Sequence, residues 1–320
     1  MQSLVLKDDP VAIGIAATSY YLPPKELSIE ELGDQVGMSA ERRQKFRHVH
    51  GLRSVRVCDG EDAADLAVKA AEQLFKKQQV DPDEVDLVIA YHTLYITSLE
   101  PRTLVGEIQH RLRLKQSVGF SISGQYCASI ISALRVARSL IASGAARTAL
   151  LIGVDSFAGS LKREIDDITL QGEGATAALV RKDCRTNRVL ALSNTVEGSL
   201  FRGISCTAEE NERFNLLYFL TSRRIIRSTL NSLSLTLDDI RLIIPHNINY
   251  SSWFRLLDQL KCPRDKFYGD NIGRYGHICG SDLMINLTDI TTQERLKRGD
   301  YAMLLVVGLG ASWACAIIEH

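Results

Sequence analysis

The 320-residue chain reads as an α/β protein built from two duplicated halves, and three observations predict this. Apolar runs of strand length alternate with segments whose apolar residues recur at helical spacing. Residues 81–93 (DPDEVDLVIAYHT) align without gaps on residues 236–248 (TLDDIRLIIPHNI), placing Leu87 on Leu242 and Ile89 on Ile244. Residues 144–154 (GAARTALLIGV) align on residues 299–309 (GDYAMLLVVGL) at the same offset, with Gly144 on Gly299 and Gly153 on Gly308. Two separated matches at one offset are the mark of a repeat. In each half a helix precedes a turn and a buried strand, and a second helix stops at glycine before another buried strand. The polar turn at Arg181–Asn187 divides the chain into an N-terminal half, 1–185, and a C-terminal half, 186–320. No low-complexity linker lies between them, so the halves are expected to pack as one body.

Composition narrows the function classes. With 45% hydrophobic and 24% charged residues the chain has the balance of a soluble globular protein. Lys+Arg and Asp+Glu both number 38, so no global field invites nucleic acid or an anionic membrane. Seven cysteines without a C-x-x-C argue against a disulfide framework and for a reducing compartment. They make no zinc-like spacing with the histidines, so neither a metal nor a cofactor is expected. The opening MQSLVLKDDP lacks the basic region and apolar run of a signal peptide. Tyr301 to Ile318 carries no charge and approaches membrane-spanning length, but Gly308, Gly310 and Ser312 interrupt it. Leu304–Val307 and Ala314–Ile318 are therefore expected as two buried strands, in a cytoplasmic protein.

Three residues stand where chemistry is to be expected. Val118–Ser123 reads as a short strand and Gly124–Tyr126 as a tight turn. A helix is then expected from Cys127, with Ile130, Ile131, Leu134, Ala137 and Ile141 on its apolar face and Gly144 as its stop. A cysteine at a helix N-terminus faces unpaired N–H groups and the positive end of the dipole, which favour the nucleophilic thiolate. The alternative is a packed thiol. Cys58, Cys184, Cys206, Cys262 and Cys315 read as structural, and Cys279 is given no role although it lies two residues from His277. His246 follows the apolar run Leu242–Pro245, at the strand end where open α/β sheets bind ligands. His277 lies in a loop before a helix entered near Ser281; each histidine taken alone reads equally as a hydrogen-bonded structural residue. Gly172-Glu-Gly-Ala-Thr-Ala177 matches a dinucleotide pattern but is followed by a strand-like run rather than a helix. No G-x-S-x-G elbow and no P-loop occur, which disfavours a serine hydrolase and a nucleotide triphosphatase.

Taken in order, these segments resemble the thiolase superfamily, and most of all its ketoacyl synthase III branch, over nearly the whole chain. Val11–Pro23 resembles that branch's opening strand, and His50-Gly51-Leu52-Arg53 its T-G-I-R segment. Tyr126-Cys127-Ala128 falls where the family keeps its nucleophile, and Gly172-Glu173-Gly174-Ala175 resembles its G-D-G-A strand. Pro245-His246-Asn247-Ile248-Asn249 resembles P-H-Q-A-N, Tyr275-Gly276-His277 resembles Y-G-N, and Gly308–Trp313 resembles the closing G-G-G-F-T-W. The resemblance implies a layered αβαβα thiolase-like fold. It implies that Cys127 accepts an acyl group and that His246 and His277 bind the carbonyl of a second thioester, whose decarboxylation yields the attacking carbanion. Backbone N–H groups of Cys127 and Leu309 would hold the tetrahedral oxyanion, and Asn249 would bind substrate. Implied partners are acyl-carrier-protein or coenzyme A thioesters and a second copy of the chain, with Val118–Ser123 at the dimer interface, in fatty-acid or polyketide-type biosynthesis.

Three departures from the family pattern stand out: His277 in place of Asn, Lys45 and Val49 where Trp and Arg often hold the nucleotide of coenzyme A, and Leu309 in place of a glycine where a positive φ would be strained. They leave two alternatives open: an acyltransferase that passes the Cys127-bound acyl group to an amine or alcohol with His246 as base, and a non-catalytic subunit of a heterodimer.

Overall fold

A computed structural model describes residues 4–6, 11–93, 103–157 and 163–320. Among the described residues the central mixed sheet has ten strands, nine of them on its main path: β1 (Ile13–Tyr21), β2 (Leu87–Tyr91), β3 (Val118–Ile122), β4 (Thr148–Asp155), β5 (Gly174–Lys182), β6 (Arg188–Val196), β7 (Ile240–Pro245), β8 (Tyr301–Gly308) and β9 (Ser312–Glu319). Their spatial order is β7-β8-β9-β6-β1-β5-β4-β2-β3, and the short strand Leu4–Leu6 pairs with β6. β1 and β6, the neighbouring strands of the two halves, share a single register contact, Arg188 opposite Gly14. Outward from that contact, β1-β5-β4-β2 and β6-β9-β8-β7 repeat one pattern of two antiparallel pairings and then a parallel one. The segments aligned in the sequence, 81–93 and 236–248, contain β2 and β7, the fourth strand of each series. β3 extends the first half only.

Strand periodicity explains how so many apolar runs are buried at once. Successive side chains of a strand point to opposite faces, so a strand covered on both faces must be apolar throughout. In β8, Ala302, Leu304 and Val306 enter a central cluster, while Met303, Leu305 and Val307 enter an outer one. In β2, Leu87, Ile89 and Tyr91 face the same central cluster and Val88 and Ala90 a different outer one. The uncharged stretch over 301–318 is thus an antiparallel hairpin buried on both faces, as expected. No helix among the described residues is long and apolar enough to cross a membrane.

The helices supply the layers. Two lie in the central cluster, α3 (Ser129–Ala142) and α6 (Asp282–Thr292), bringing Ile130, Ile131, Leu134, Leu283, Met284 and Leu287 between the strands of the two halves. Each such side chain contributes about 1.5–3 kcal/mol on full burial. α1 (Ala63–Gln78) and α2 (Leu104–Arg111) cover the outer face of the first half. α4 (Ala208–Ser232) and α5 (Tyr250–Leu260) cover that of the second. The result is the layered αβαβα arrangement, with the parallel strands β2, β3, β4 and β7 all ending toward α3 and α6. That common end is where ligands bind in α/β sheets.

Candidate active site

The chain leaves β3 at Ile122 and turns sharply. Gly124 has φ +87° and Tyr126 has φ +49°, so a non-glycine residue holds a left-handed conformation costing about 1–3 kcal/mol immediately before Cys127. Cys127 lies in a short 3₁₀ turn, Tyr126–Ala128, and α3 starts only at Ser129. This corrects the expectation that the helix begins at Cys127 itself. The same turn requires glycine across from it. A Cβ on Gly308 would lie 2.2 Å from the Gln125 carbonyl and 3.2 Å from the Cys127 nitrogen, so only a bare Cα lets the end of β8 approach. Leu309 lines the cavity beside Cys127. It is not strained, because the positive φ of this turn, +104°, falls on Gly310.

His277 reaches the nucleophile from 150 residues away, with Nε2 at 3.4 Å from Cys127 Sγ. Its Nδ1–H donates to Asp282 Oδ2 at 2.5 Å. Asp282, the first residue of α6, is fully buried and also accepts the N–H of Asn247 at 2.6 Å and of Ile278 at 2.7 Å. Burial opposes charge on the imidazole, but the Asp282 carboxylate and the Cys127 sulfur outweigh it and raise the His277 pKa well above the usual histidine value. Cys127 is drawn the other way, to about 5, first by the S–H of Cys279 and then, against the cost of burial, by His277. Thiolate and imidazolium therefore coexist at neutral pH.

Cys279 is the residue that sequence reasoning passed over. It has φ +43°, its sulfur accepts Gln171 Nε2–H at 3.1 Å, and it sits beside Cys127, whose thiolate and burial together push its own pKa well up. The signal available in the sequence was its place two residues after His277. Asp155, at the end of β4, joins this loop to the strand ends by accepting the N–H groups of Thr93 at 2.9 Å and Gly280 at 3.0 Å. Burial, then the nearby thiolate, raises its pKa to about 8, so near neutrality it is mostly uncharged and does not repel the nucleophile.

His246 follows β7 and is 1% exposed, its ring centroid 6.0 Å from that of His277. Its Nδ1 faces the Leu305 carbonyl at 3.4 Å, and a carbonyl only accepts, so Nδ1 carries the proton. Burial, then the positive His277, lowers its pKa to about 3. It is neutral, and its buried Nε2, which has no hydrogen-bond partner among the described residues, presents a lone pair. Cys127, His246 and His277 share one cavity of about 210 Å³. Its apolar wall includes Ile168, Ile204, Phe214, Tyr218 and Ile248.

Asn249 is placed differently from expectation. Its Oδ1 caps α5 by accepting the Ser252 N–H at 2.7 Å, and its Nδ2 donates to the Ile168 carbonyl at 2.9 Å. It does not line the cavity. Lys45 pairs with Asp167 at 3.3 Å, and Val49 is exposed.

Comparison with known proteins gives the family and the fold. The family model for 3-oxoacyl-[acyl-carrier-protein] synthase III matches residues 123–198, and that for its C-terminal part matches residues 230–320. The β-ketoacyl-[acyl-carrier-protein] synthase III of Aquifex aeolicus is 27% identical over 313 residues, covering 96% of this chain and 99% of the relative. The crystal structure of 3-oxoacyl-[acyl-carrier-protein] synthase III from A. aeolicus superposes with a TM-score of 0.83 at 24% identity, covering 96% of this chain and all of that one. ChlB3, described as an acyltransferase, superposes with a TM-score of 0.84 at 23% identity, covering 96% of this chain and 97% of that one. The chain belongs to the thiolase superfamily, in the condensing-enzyme branch of 3-oxoacyl-[acyl-carrier-protein] synthase III.

Proposed function

We propose that this protein is an acyltransferase that loads an acyl group from a thioester onto Cys127 and passes it to an amine or alcohol. The observation that carries the proposal is His277, held between the Cys127 thiolate and the Asp282 carboxylate. This is the Cys–His–Asp logic of nucleophilic acyl transfer. The thiolate attacks the thioester carbonyl, and the carbon–sulfur bond of the donor breaks. His277 gives its proton to the departing thiol and becomes neutral. Beside Asp282 it is then a strong base, able to take the acceptor's proton as the acceptor attacks the Cys127 thioester. His246, with a pKa of about 3, is too weak for that step; its Nε2 lone pair instead accepts the acceptor's N–H or O–H and aims it. Backbone N–H groups of Cys127 and Leu309 would hold the oxyanion. The donor would be a carrier-protein or coenzyme A thioester. The cavity, smaller than the ~300 Å³ at which pockets for drug-sized ligands begin, fits a small acyl group. The exposed edge strand β3, with Val118 68% exposed, would pair with a second copy of the chain.

Decarboxylative condensation is the second reading, favoured by the name of the A. aeolicus relative. It asks both histidines to donate to the developing enolate, and His246 Nε2 has no proton to give. Both readings predict an acyl adduct by intact-mass spectrometry that Cys127→Ala abolishes. They part at His277→Asn with a labelled malonyl donor. Acyl transfer predicts no labelled carbon dioxide from the wild type, and a variant no more active in transfer than His277→Ala, because an amide cannot carry a proton through the cycle. Carbon dioxide release by the wild type that survives in His277→Asn would establish condensation instead.

A further inference from the structure

The sequence contains no cysteine pair at metal-ligand spacing, yet the fold assembles ligands from two distant segments. We propose that Cys127, His277 and Cys279 form a three-ligand site for a thiophilic divalent cation such as Zn²⁺, and that occupation of this site excludes acylation of Cys127. The two sulfurs and a ring nitrogen of His277 all lie within 4.8 Å of one another. Metal–sulfur bonds of about 2.3 Å and metal–nitrogen bonds of about 2.0 Å in a tetrahedron need neighbouring ligands about 3.5–3.8 Å apart. The Cys127–His277 distance of 3.4 Å is close to that, so small side-chain rotations close the site.

The surroundings are those a metal ligand needs. His277 donates Nδ1–H to Asp282, which fixes the ring and leaves Nε2 as the coordinating nitrogen. The Asp282 carboxylate is itself held by two backbone N–H groups. Gln171 Nε2–H supports the Cys279 sulfur at 3.1 Å. Cys127 and His277 both line the cavity, so a fourth coordination position opens toward it, the pattern of three protein ligands plus one exchangeable ligand. Charge closes as well. The cation replaces two protons, one from the Cys127–His277 pair and one from the Cys279 thiol. Two thiolates and a neutral imidazole then leave the buried complex with no net charge. A sulfur already in a thioester is no longer such a ligand, so acyl group and metal compete. That exclusion rests on the acyl-loading reading; metal binding does not.

The test is titration of the intact chain with Co²⁺ under a phosphine reductant. One equivalent should bind with a sulfur-to-cobalt charge-transfer band, which disappears in both Cys127→Ala and Cys279→Ala. Asp282→Asn should weaken the apparent Kd about 10–100-fold. Zn²⁺ should displace the cobalt and suppress the acyl adduct, and a chelator should restore it. No band in the wild type, or an undiminished band in either alanine variant with unchanged circular dichroism, overturns the site. Should Cys279→Ala fail to fold, Cys279→Ser, which keeps a polar group there, gives the same readout. Full acylation of Zn²⁺-loaded protein would overturn the exclusion. A band in a protein that never acylates without metal would uphold the site and overturn the role of Cys127.

Discussion

His246 and His277 are buried almost equally, at 1% and 4% exposure, with ring centroids 6.0 Å apart, yet they are driven to opposite protonation states. Burial alone disfavours the imidazolium in both. What separates them is the partner on Nδ1. For His246 that partner is a neutral carbonyl, which cannot offset burial; for His277 it is a carboxylate 2.5 Å away, with a thiolate on the other nitrogen. The larger share of the difference comes from Asp282, five positions after His277, and the Cys127 thiolate adds to it. Two titratable groups pushed apart in this way define an acid–base assignment, with His277 moving protons and His246 accepting a hydrogen bond.

The largest expected effect is therefore at Asp282. Asp282→Asn should remove the leading cause of the raised His277 pKa and bring that histidine closer to His246. Loss of the corresponding carboxylate in a catalytic triad costs ~10⁴ in rate, and a fall of that order in acyl transfer is expected by steady-state assay. The thiolate loses its counter-ion as well, so the pH midpoint for alkylation of Cys127 by iodoacetamide should rise from about 5. Stability follows from the sign of the His277 shift. A raised folded-state pKa gives stabilisation that is complete below the unfolded value near 6.5 and is lost as pH rises through the folded value. The denaturation cost of Asp282→Asn should accordingly be larger at pH 6 than in alkaline buffer. A pH-independent cost would mean that Asp282 acts only by packing.

His246→Ala comes next. Acyl loading measured in a single turnover should be nearly unchanged, while transfer falls about 10–100-fold as the acceptor loses its alignment. Equal loss in both half-reactions would break the division of labour between the histidines.

A smaller effect is expected at Cys279. Its S–H is the leading cause of the low Cys127 pKa, so in Cys279→Ala the alkylation midpoint should move upward while the plateau rate at high pH stays within a few-fold of wild type. An unshifted midpoint would show that His277 alone sustains the thiolate.

The sequence made the fold, Cys127 and His246 legible because each rests on a local pattern, whereas His277 stood out only through the family resemblance. The duplicated segments contain β2 and β7, apolar apart from the exposed Arg241 near the start of β7 because both faces of these strands are covered. His246 follows a strand end, and Cys127 a strand and a turn. The partners were harder to see because they act across long separations. Asp282 has the look of an ordinary N-terminal helix acid, and Cys279 that of one more apolar loop residue, until the fold brings them against His277 and Cys127. The start of α3 was misplaced for a physical reason too: Tyr126 takes a left-handed conformation that propensity assigns to glycine, and the 3₁₀ turn that follows keeps Cys127 just outside the helix.

Asn249 marks the small end of the comparison, three residues beyond His246 on the same loop. Its side chain is fully used in the protein, with Oδ1 on the Ser252 N–H and the Ser251 hydroxyl and Nδ2 on the Ile168 carbonyl. It should therefore act on the site only by holding the loop and the cavity wall at Ile168. Asn249→Ala loses a helix cap, about 0.5–2 kcal/mol, and leaves the Ile168 carbonyl with one donor fewer, about 1 kcal/mol more. Urea denaturation should show a loss of about 1–3 kcal/mol, while acyl loading at a temperature where the variant stays folded remains within about three-fold of wild type. Asn249→Asp restores the cap but not the donor to Ile168, and should recover roughly half of the lost stability. A large fall in loading in Asn249→Asp with stability largely recovered would give the residue a direct contact with substrate, as the family resemblance implied, and would place a third polar group beside the two histidines.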